Sequence, residues 1–151
     1  MKQELNNINN KLDSNNFYLN LPNSIDCIVH LNFIRVDAFD NFFRKYHKEF
    51  NQTKKISKQK KILSKELLVY KSLVKYLKKL INGIKKNTTN VIINYNPELK
   101  EHIESALTRL FKFKPELDFN EKIKIQTLRK LEQQFQQSNQ AIFELENYQF
   151  S

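Results

Sequence analysis

Glycine, proline and cysteine are scarce in this sequence. One glycine and three prolines occur among 151 residues, whereas proteins contain roughly 7% glycine and 5% proline. Positive-φ turns, glycine-built phosphate loops and glycine bulges therefore have almost no residue to form them. This scarcity favours helices joined by connections rich in Asn, Asp and Lys.

The single cysteine excludes an intramolecular disulfide. Cys27 lies in the run from Ile25 to Val29, where we expect a buried, unreactive thiol. No window approaches the 18 apolar residues that a membrane span needs, and the first residues resemble neither a signal peptide nor a transit peptide. We therefore expect no membrane span and no secretion, and a location in the cytoplasm, or in an organelle if an organelle encodes the chain.

Motifs for catalysis and metal binding are also missing. His30, His47 and His102 have no partner at the spacing of metal ligands, and one cysteine cannot form a CxxC pair. One glycine cannot supply a nucleophile elbow, a phosphate-binding loop or a dinucleotide-binding turn. The sequence therefore predicts no catalytic residue, metal, cofactor or small-molecule substrate, and we expect a protein that is not an enzyme.

Positive charge is concentrated in one segment. The net charge is +10, yet residues 44–86 alone hold 15 of the 26 Lys and Arg residues and only two of the 16 acids, a net of +13. The remainder is therefore slightly acidic. A confined excess of this kind is typical of a surface that meets a polyanion, which could be a nucleic acid, an anionic membrane face or an acidic protein. The alternative is a solvated helix face in an organism that uses lysine heavily.

Most of these lysines fall in one amphipathic helix. Apolar residues recur at alternating steps of four and three from Leu63 to Ile84, which predicts a helix over 56–84 that ends near Gly83. The opposite face is rich in lysine and includes Ser72. Lysine contacts phosphates as a point charge and is less suited than arginine to bidentate base recognition. We expect phosphate-backbone contacts from Lys54, Lys55, Lys58, Lys61, Lys65, Lys71, Lys75, Lys78, Lys79, Lys85 and Lys86.

Three runs predict extended segments, at 17–21, 24–36 and 89–95, of which the second is rich in Ile, Val and Phe and the third is β-branched. A helix is expected from Asp37, which is suited to cap it. Its aromatic residues recur at helical spacing and are expected in the core, namely Phe39, Phe42, Phe43, Tyr46 and Phe50.

Two further helices follow the third strand. Asn96, Pro97 and Glu98 are typical of a helix start. The buried stripe of this helix is expected to comprise Leu99, Ile103, Ala106, Leu107 and Leu110. After a break at Pro115, a last helix over 120–148 has apolar residues in heptad-like register, with polar Ser138 in one core position.

These elements predict an α+β fold that is predominantly helical. A small sheet of two to three strands would pack with long helices, and the C-terminal helix would extend from the domain; an all-α bundle is the alternative. The predicted organisation is a poorly ordered segment 1–16, a basic α/β core 17–114 and a C-terminal helical extension 115–151.

The order of elements suggests a βαβα unit with parallel pairing, formed by 28–36, 56–84, 90–95 and 97–113. Its part INGIKKNTTNVIINYNPELKEHIESALTRL resembles the helix–strand–turn–helix of ribosomal-protein families with a ribonuclease-H-like core, best the small-subunit family of the platform. The resemblance implies rRNA binding without catalysis. Those families place a glycine-rich turn against RNA after the strand, whereas this chain has residues 94–97, NYNP, there. No contact residue is therefore carried over.

The function expected first is a non-enzymatic RNA-associated protein, such as a divergent component of a ribosome or other ribonucleoprotein. Residues 44–86 would neutralise phosphates, and the C-terminal helix would dock on a neighbouring protein. The second possibility is a structural or regulatory helical subunit whose basic face meets an acidic partner. A DNA-binding accessory protein comes third, since no recognition-helix signature is present, and membrane-surface binding fourth.

Overall fold

The computed structural model describes Leu12 and residues 14–24, 27–32 and 37–150. Within these ranges the chain forms five α-helices, one short 3-10 helix and a two-stranded sheet. The predicted α+β fold, with long helices and a small sheet, is therefore confirmed. In chain order the elements are β1 (Asn16–Asn20), α1 (Cys27–Asn32), α2 (Asp37–Gln52), α3 (Ile56–Lys85), β2 (Asn90–Asn94), the 3-10 helix (Pro97–Leu99), α4 (Lys100–Arg109) and α5 (Phe119–Glu146).

The chain divides into two compact units that interleave along the sequence. Of the described residues, the helical unit comprises 12, 37–79 and 134–150, and the mixed unit comprises 14–24, 27–32 and 80–133. Helices α3 and α5 each contribute one part to each unit. The predicted organisation into segments 1–16, 17–114 and 115–151 stays a prediction.

In the mixed unit, β1 and β2 pair in parallel with Phe17 opposite Val91. Asn94 Nδ2 donates a 2.7 Å hydrogen bond to Asn20 Oδ1, which extends the pairing to the side chains. The predicted strands 17–21 and 89–95 are thus confirmed. Parallel strands need a long connection, and here α1, α2 and α3 provide it.

The predicted strand 24–36 is wrong where the structure describes it, because residues 27–32 form helix α1. Cys27 and Leu31 lie one helical turn apart and both are fully buried, whereas Val29, which a strand would bury beside them, is 54% exposed. Packing of this i, i+4 pair outweighs the local β-propensity. The expected burial of the Cys27 thiol is confirmed, and β1 takes the place of 28–36 in the parallel pair.

The core of the mixed unit includes residues from both sides of Pro115. Its buried members are Leu21, Cys27, Leu31, Ile103, Leu107, Phe113, Phe119 and Ile123. The predicted stripe of α4 is therefore buried in its middle, but Leu110 at its end is 66% exposed. Leu110 is the C-cap of this helix, keeps helical backbone angles and donates its N–H to the Ala106 carbonyl, so it stays on the same face and is exposed at the helix end. Because Phe119 and Ile123 belong to α5, the first part of the predicted C-terminal extension contributes to a core.

In the helical unit, α2 packs against the residues of α3 up to Lys79. The ring centroids of Phe39 and Tyr76 lie 6.5 Å apart and those of Phe43 and Tyr70 lie 4.3 Å apart. The later residue of α2, Phe43, thus meets the earlier residue of α3, Tyr70, so the two helices are antiparallel. Phe39 and Tyr46 are buried as predicted, and Phe42, Phe43 and Phe50 are partly buried.

Helix α3 ends at a left-handed residue two positions beyond the last helical one. Asn87 has a φ of 60°, its N–H donates to the Ile84 carbonyl at 3.2 Å, and the Thr88 N–H donates to the Gly83 carbonyl at 2.8 Å. This is the hydrogen-bond pattern of a Schellman motif, with Asn in the position usually held by glycine. The helix predicted over 56–84 therefore continues one residue further, to Lys85.

The helix start predicted at Asn96, Pro97 and Glu98 is confirmed. Asn96 Oδ1 accepts a 3.1 Å hydrogen bond from the Glu98 N–H at the start of the 3-10 helix. Asp118 Oδ1 accepts a 2.8 Å bond from the Glu121 N–H at the start of α5, as N-cap residues do. Ser138 is buried, as its core position in the heptad pattern predicts.

Candidate polyanion-binding surface

Helix α3 separates lysines from apolar side chains around its axis. At about 100° per residue, the lysines between positions 58 and 79 all fall within half of the circumference. Glu66, the only acid in the helix, falls on the other half, where it is partly buried. We call this set the lysine face; its members, all exposed, are Lys58, Lys60, Lys61, Lys65, Lys71, Lys75, Lys78 and Lys79.

The structure brings together most of the lysines that the sequence predicts, but not all. Lys54 and Lys55 are exposed in the connection before α3, and the predicted lysines 58–79 lie on the lysine face. Lys85 and Lys86 are exposed in the mixed unit. The sequence prediction omitted Lys60, which could have been found from its spacing, because it stands 11 residues, or about three helical turns, before Lys71.

Ser72 does not belong to the exposed face where the sequence placed it. It is buried, with 9% of its surface exposed. On the helix it lies beside Tyr76, one turn further along, which is also buried. Ser72 therefore stands at the border of the apolar half, and the lysine face is narrower at this turn than predicted.

Few lysines of the face are neutralised by an acid. Lys71 Nζ lies 3.6 Å from Glu146 Oε1, and both side chains are about half exposed. Lys85, which lies in the mixed unit and is not part of the lysine face, has its Nζ 3.2 Å from Glu132 Oε1. Exposed pairs of this kind contribute only about 0–1 kcal/mol. Across the ranges that the structure describes, no other lysine of the face has a carboxylate within 4.0 Å.

Aromatic rings hold two of the lysine side chains. Lys65 Nζ lies 5.9 Å from the ring centroid of Tyr46, which Lys45 Nζ also approaches at 5.8 Å. Lys60 Nζ lies 5.6 Å from the centroid of Phe150. Cation–π contacts at exposed sites contribute about 0.5–1 kcal/mol. They restrict where these ammonium groups can lie without removing their charge.

A cleft of about 390 Å³ opens beside the lysine face, where α2 ends and α3 begins. Three ammonium side chains, a hydroxyl and an amide line it together with a single carboxylate. Its charged lining is therefore positive overall. The lining residues are Glu49, Gln52, Thr53, Lys58, Lys61, Ile62 and Lys65.

Two groups on the buried side of α3 have shifted pKa values. Burial raises the pKa of Glu66, and the positive charge of His47 partly opposes this. Burial also raises the pKa of Tyr70, and the negative charges of Glu66 and Glu144 add to the effect. The one acid of α3 thus lies in surroundings that disfavour its charge, away from the lysine face.

The described residues hold neither a metal-binding cluster nor a membrane-spanning helix. In the described part of the chain, no group of three or more His, Cys, Asp or Glu side chains is placed to hold a metal ion. No helix there has both the length and the apolar character to cross a membrane.

Comparisons with protein families, curated proteins and solved structures found no match to this chain.

Proposed function

We propose that this chain is a non-enzymatic RNA-associated protein, a divergent component of a ribosome or another ribonucleoprotein. The observation that supports this most is the lysine face, which presents eight exposed lysines and no acid on one half of a single helix. Residues 44–79 carry 13 Lys and Arg against two acids. Such a surface attracts a polyanion and gains affinity as counterions are released.

The side chains of the face favour contact with the phosphate backbone over reading of bases. Every cation on it is lysine, whose ammonium group is a compact point charge. Base readout depends more on arginine and on bidentate geometry. We therefore expect binding that varies little between RNA sequences. The resemblance of residues 81–110 to platform proteins of the small ribosomal subunit agrees with this proposal and stays a prediction.

The C-terminal part of α5 is proposed to contact a neighbouring protein. Its exposed surface is rich in glutamine and carries two acids, Glu144 and Glu146, and Phe143 on it is 61% exposed. Lysine is absent from residues 134–151, so this segment presents a surface unlike that of the lysine face. A protein partner would cover Phe143 and thereby remove an exposed aromatic ring from water.

The experiment is a titration of the full chain with short single-stranded RNAs of unrelated sequence, at several salt concentrations. Log K should fall linearly with log salt, by roughly 0.7 per phosphate contact. In one variant, Lys61, Lys65, Lys75 and Lys79 are replaced by Gln. That variant should bind all the RNAs more weakly and with a shallower slope.

The matched control removes four exposed cations elsewhere, with Gln at Lys100, Arg109, Lys112 and Lys114. It changes the net charge equally, so its affinity should stay closer to that of the parent chain. Equal losses in both variants would show that only total charge matters. Tighter binding to poly-L-glutamate than to RNA would favour the second possibility, an acidic protein partner, and would contradict RNA association.

A further inference from the structure

We propose that the cleft between the end of α2 and the start of α3 is a phosphate-binding subsite that anchors the RNA backbone on the lysine face. This inference rests on the proposed function, since it identifies the point where the bound polyanion is held most tightly. The ligand is a phosphate group, either an internal diester of the strand or its terminal monoester.

Three lysines of one helical row supply the positive charge. Lys58, Lys61 and Lys65 are spaced i, i+3 and i+7, so they lie along one side of α3. They span about 10 Å along the helix axis. A lysine side chain can cover half of that distance, so all three ammonium groups can reach an anion placed beside Lys61. The structure gives none of them a carboxylate partner among the residues it describes, and all three are exposed.

Thr53 adds a neutral donor to the cleft. Its Oγ1 accepts a 3.4 Å hydrogen bond from the Lys55 N–H, which leaves its own hydroxyl proton able to donate to a phosphate oxygen. The Thr53 carbonyl accepts a 3.1 Å bond from Gln59 Nε2. These two bonds join the connection between the helices to the first turns of α3, so the hydroxyl is held at the edge of the cleft.

The start of α3 also favours an anion. Its first N–H groups have no carbonyl acceptor one turn earlier in the helix, and the positive end of the helix dipole lies there. Lys58 belongs to this first turn. The dipole contributes less than the lysines do, but it acts in the same direction and at the same place.

Glu49 is the opposing charge in the cleft. One carboxylate against three ammonium groups leaves the charged lining with a net of two positive charges. A diester carries one negative charge, whereas a terminal monoester carries about −1.5 to −2 at pH 7. The lining thus attracts either group, and it matches the charge of the monoester more closely.

The test compares two triple variants of the full chain that lose the same charge. Lys58, Lys61 and Lys65 are replaced by Gln in one, and Lys75, Lys78 and Lys79 in the other. The second set is exposed, lies on the same helix, has no ion pair and does not line the cleft. We expect the cleft variant to lose roughly tenfold more RNA affinity than the matched variant, as befits the loss of a charge-assisted contact. Equal losses would overturn the subsite.

A second measurement uses inorganic phosphate and needs no RNA. Phosphate should cause saturable NMR shifts of the backbone amides of Thr53 and Lys58 in the parent chain and in the matched variant, and none in the cleft variant. Absence of such shifts in the parent would overturn the subsite even if RNA binds. Saturable shifts in a chain that fails to bind RNA would leave the subsite standing and reject the proposed function.

The source of the phosphate is distinguished with RNAs that differ at one end. A strand with a 5′-phosphate and the same strand with a 5′-hydroxyl are titrated into the parent chain and the cleft variant. Preference for the phosphorylated strand in the parent, lost in the cleft variant, assigns the cleft to a terminal monoester. Equal affinities, both reduced in the cleft variant, assign it to the internal backbone.

Discussion

In the last turn of α3, Gly83 lies so close to Thr89 that a β-carbon at position 83 would collide with Thr89 Oγ1. Thr89 cannot move away freely, because its hydroxyl donates a 2.6 Å hydrogen bond to the Ser14 carbonyl. The contact thus joins the end of the helix to the beginning of the sheet. It explains why the one glycine of the chain occurs inside a helix.

Gly83→Ala is therefore expected to destabilise the protein. In an exposed helix this substitution would increase stability by up to about 1 kcal/mol. Here the added methyl group must displace Thr89, and overpacking of this kind typically costs about 1–3 kcal/mol. Urea unfolding measures the effect, and Asn82→Ala, at an exposed position of the same turn, serves as the control. Stability equal to that of the control would show that Thr89 rearranges at no cost.

Lys122 and Glu104 form an unequal ion pair. The Lys122 side chain is 2% exposed and that of Glu104 is 39% exposed, with 3.3 Å between Nζ and Oε1. Lys122 Nζ also donates to Thr108 Oγ1 at 3.1 Å. Removing the carboxylate leaves a buried ammonium group without a counter-charge, whereas removing the ammonium leaves a carboxylate that water can reach.

Glu104→Gln should therefore cost more stability than Lys122→Met. Breaking a buried pair by removing one partner typically costs about 3–5 kcal/mol, and we expect the Glu104 variant toward that range. Methionine keeps the buried stem of Lys122, so its cost should be about 1–2 kcal/mol. Thermal melts at pH 7 compare the two variants. The reverse order would mean that the lysine stays solvated in solution.

Glu66→Gln is expected to increase stability at pH 7. Because burial raises the pKa of Glu66 above 4.5 in the folded chain, the folded state holds this proton more tightly than the unfolded state does. The charged form therefore costs stability at neutral pH, and the cost disappears as the pH falls toward 4.5. Melting temperatures of parent and variant should differ at pH 7 and converge near pH 4.5. A constant difference would assign the effect to a cause other than titration.

A chain that ends at Lys114 is expected to lose its cooperative unfolding transition. The removed part contains Phe119, Ile123 and Leu131, which are all buried. It also contains Glu146, which pairs with Lys71. Domains of this size have a total stability of about 5–15 kcal/mol, and losing several core side chains at about 2–5 kcal/mol each removes it. Calorimetry decides the outcome. A retained sharp transition would show that α5 is dispensable, as the sequence-based extension predicts.

Helix α3 could be predicted from the sequence because its pattern repeats through many turns. The apolar and lysine-rich halves both recur with the helical period, so the boundary 56–84 differs from Ile56–Lys85 by one residue. Helix α1 could not be predicted in this way. Over six residues, alternation and helical spacing both predict that Cys27 and Leu31 are buried, and only the exposure of Val29 distinguishes the helix from a strand.

The candidate site, too, could be predicted from the sequence only in part. Exposure of Lys58, Lys61 and Lys65 follows from their place opposite the apolar seam, which the sequence shows. The cleft does not, because Glu49 and Thr53 reach it only when α2 folds back antiparallel to α3. That direction is set by ring contacts such as Phe43 with Tyr70, and no local pattern encodes which rings will meet.

The interleaving of the two units restricts the order in which the chain can fold during synthesis. Strand β1 cannot pair until β2 has been synthesised, since Asn16 pairs with Asn90. The mixed unit also includes residues up to Gln133. The helical unit is completed only by residues beyond that point. Contacts between distant residues slow folding because loop closure must precede them. A nascent chain should thus expose its lysine-rich helix before either core is closed, and pulse-labelling on stalled ribosomes can detect that exposure.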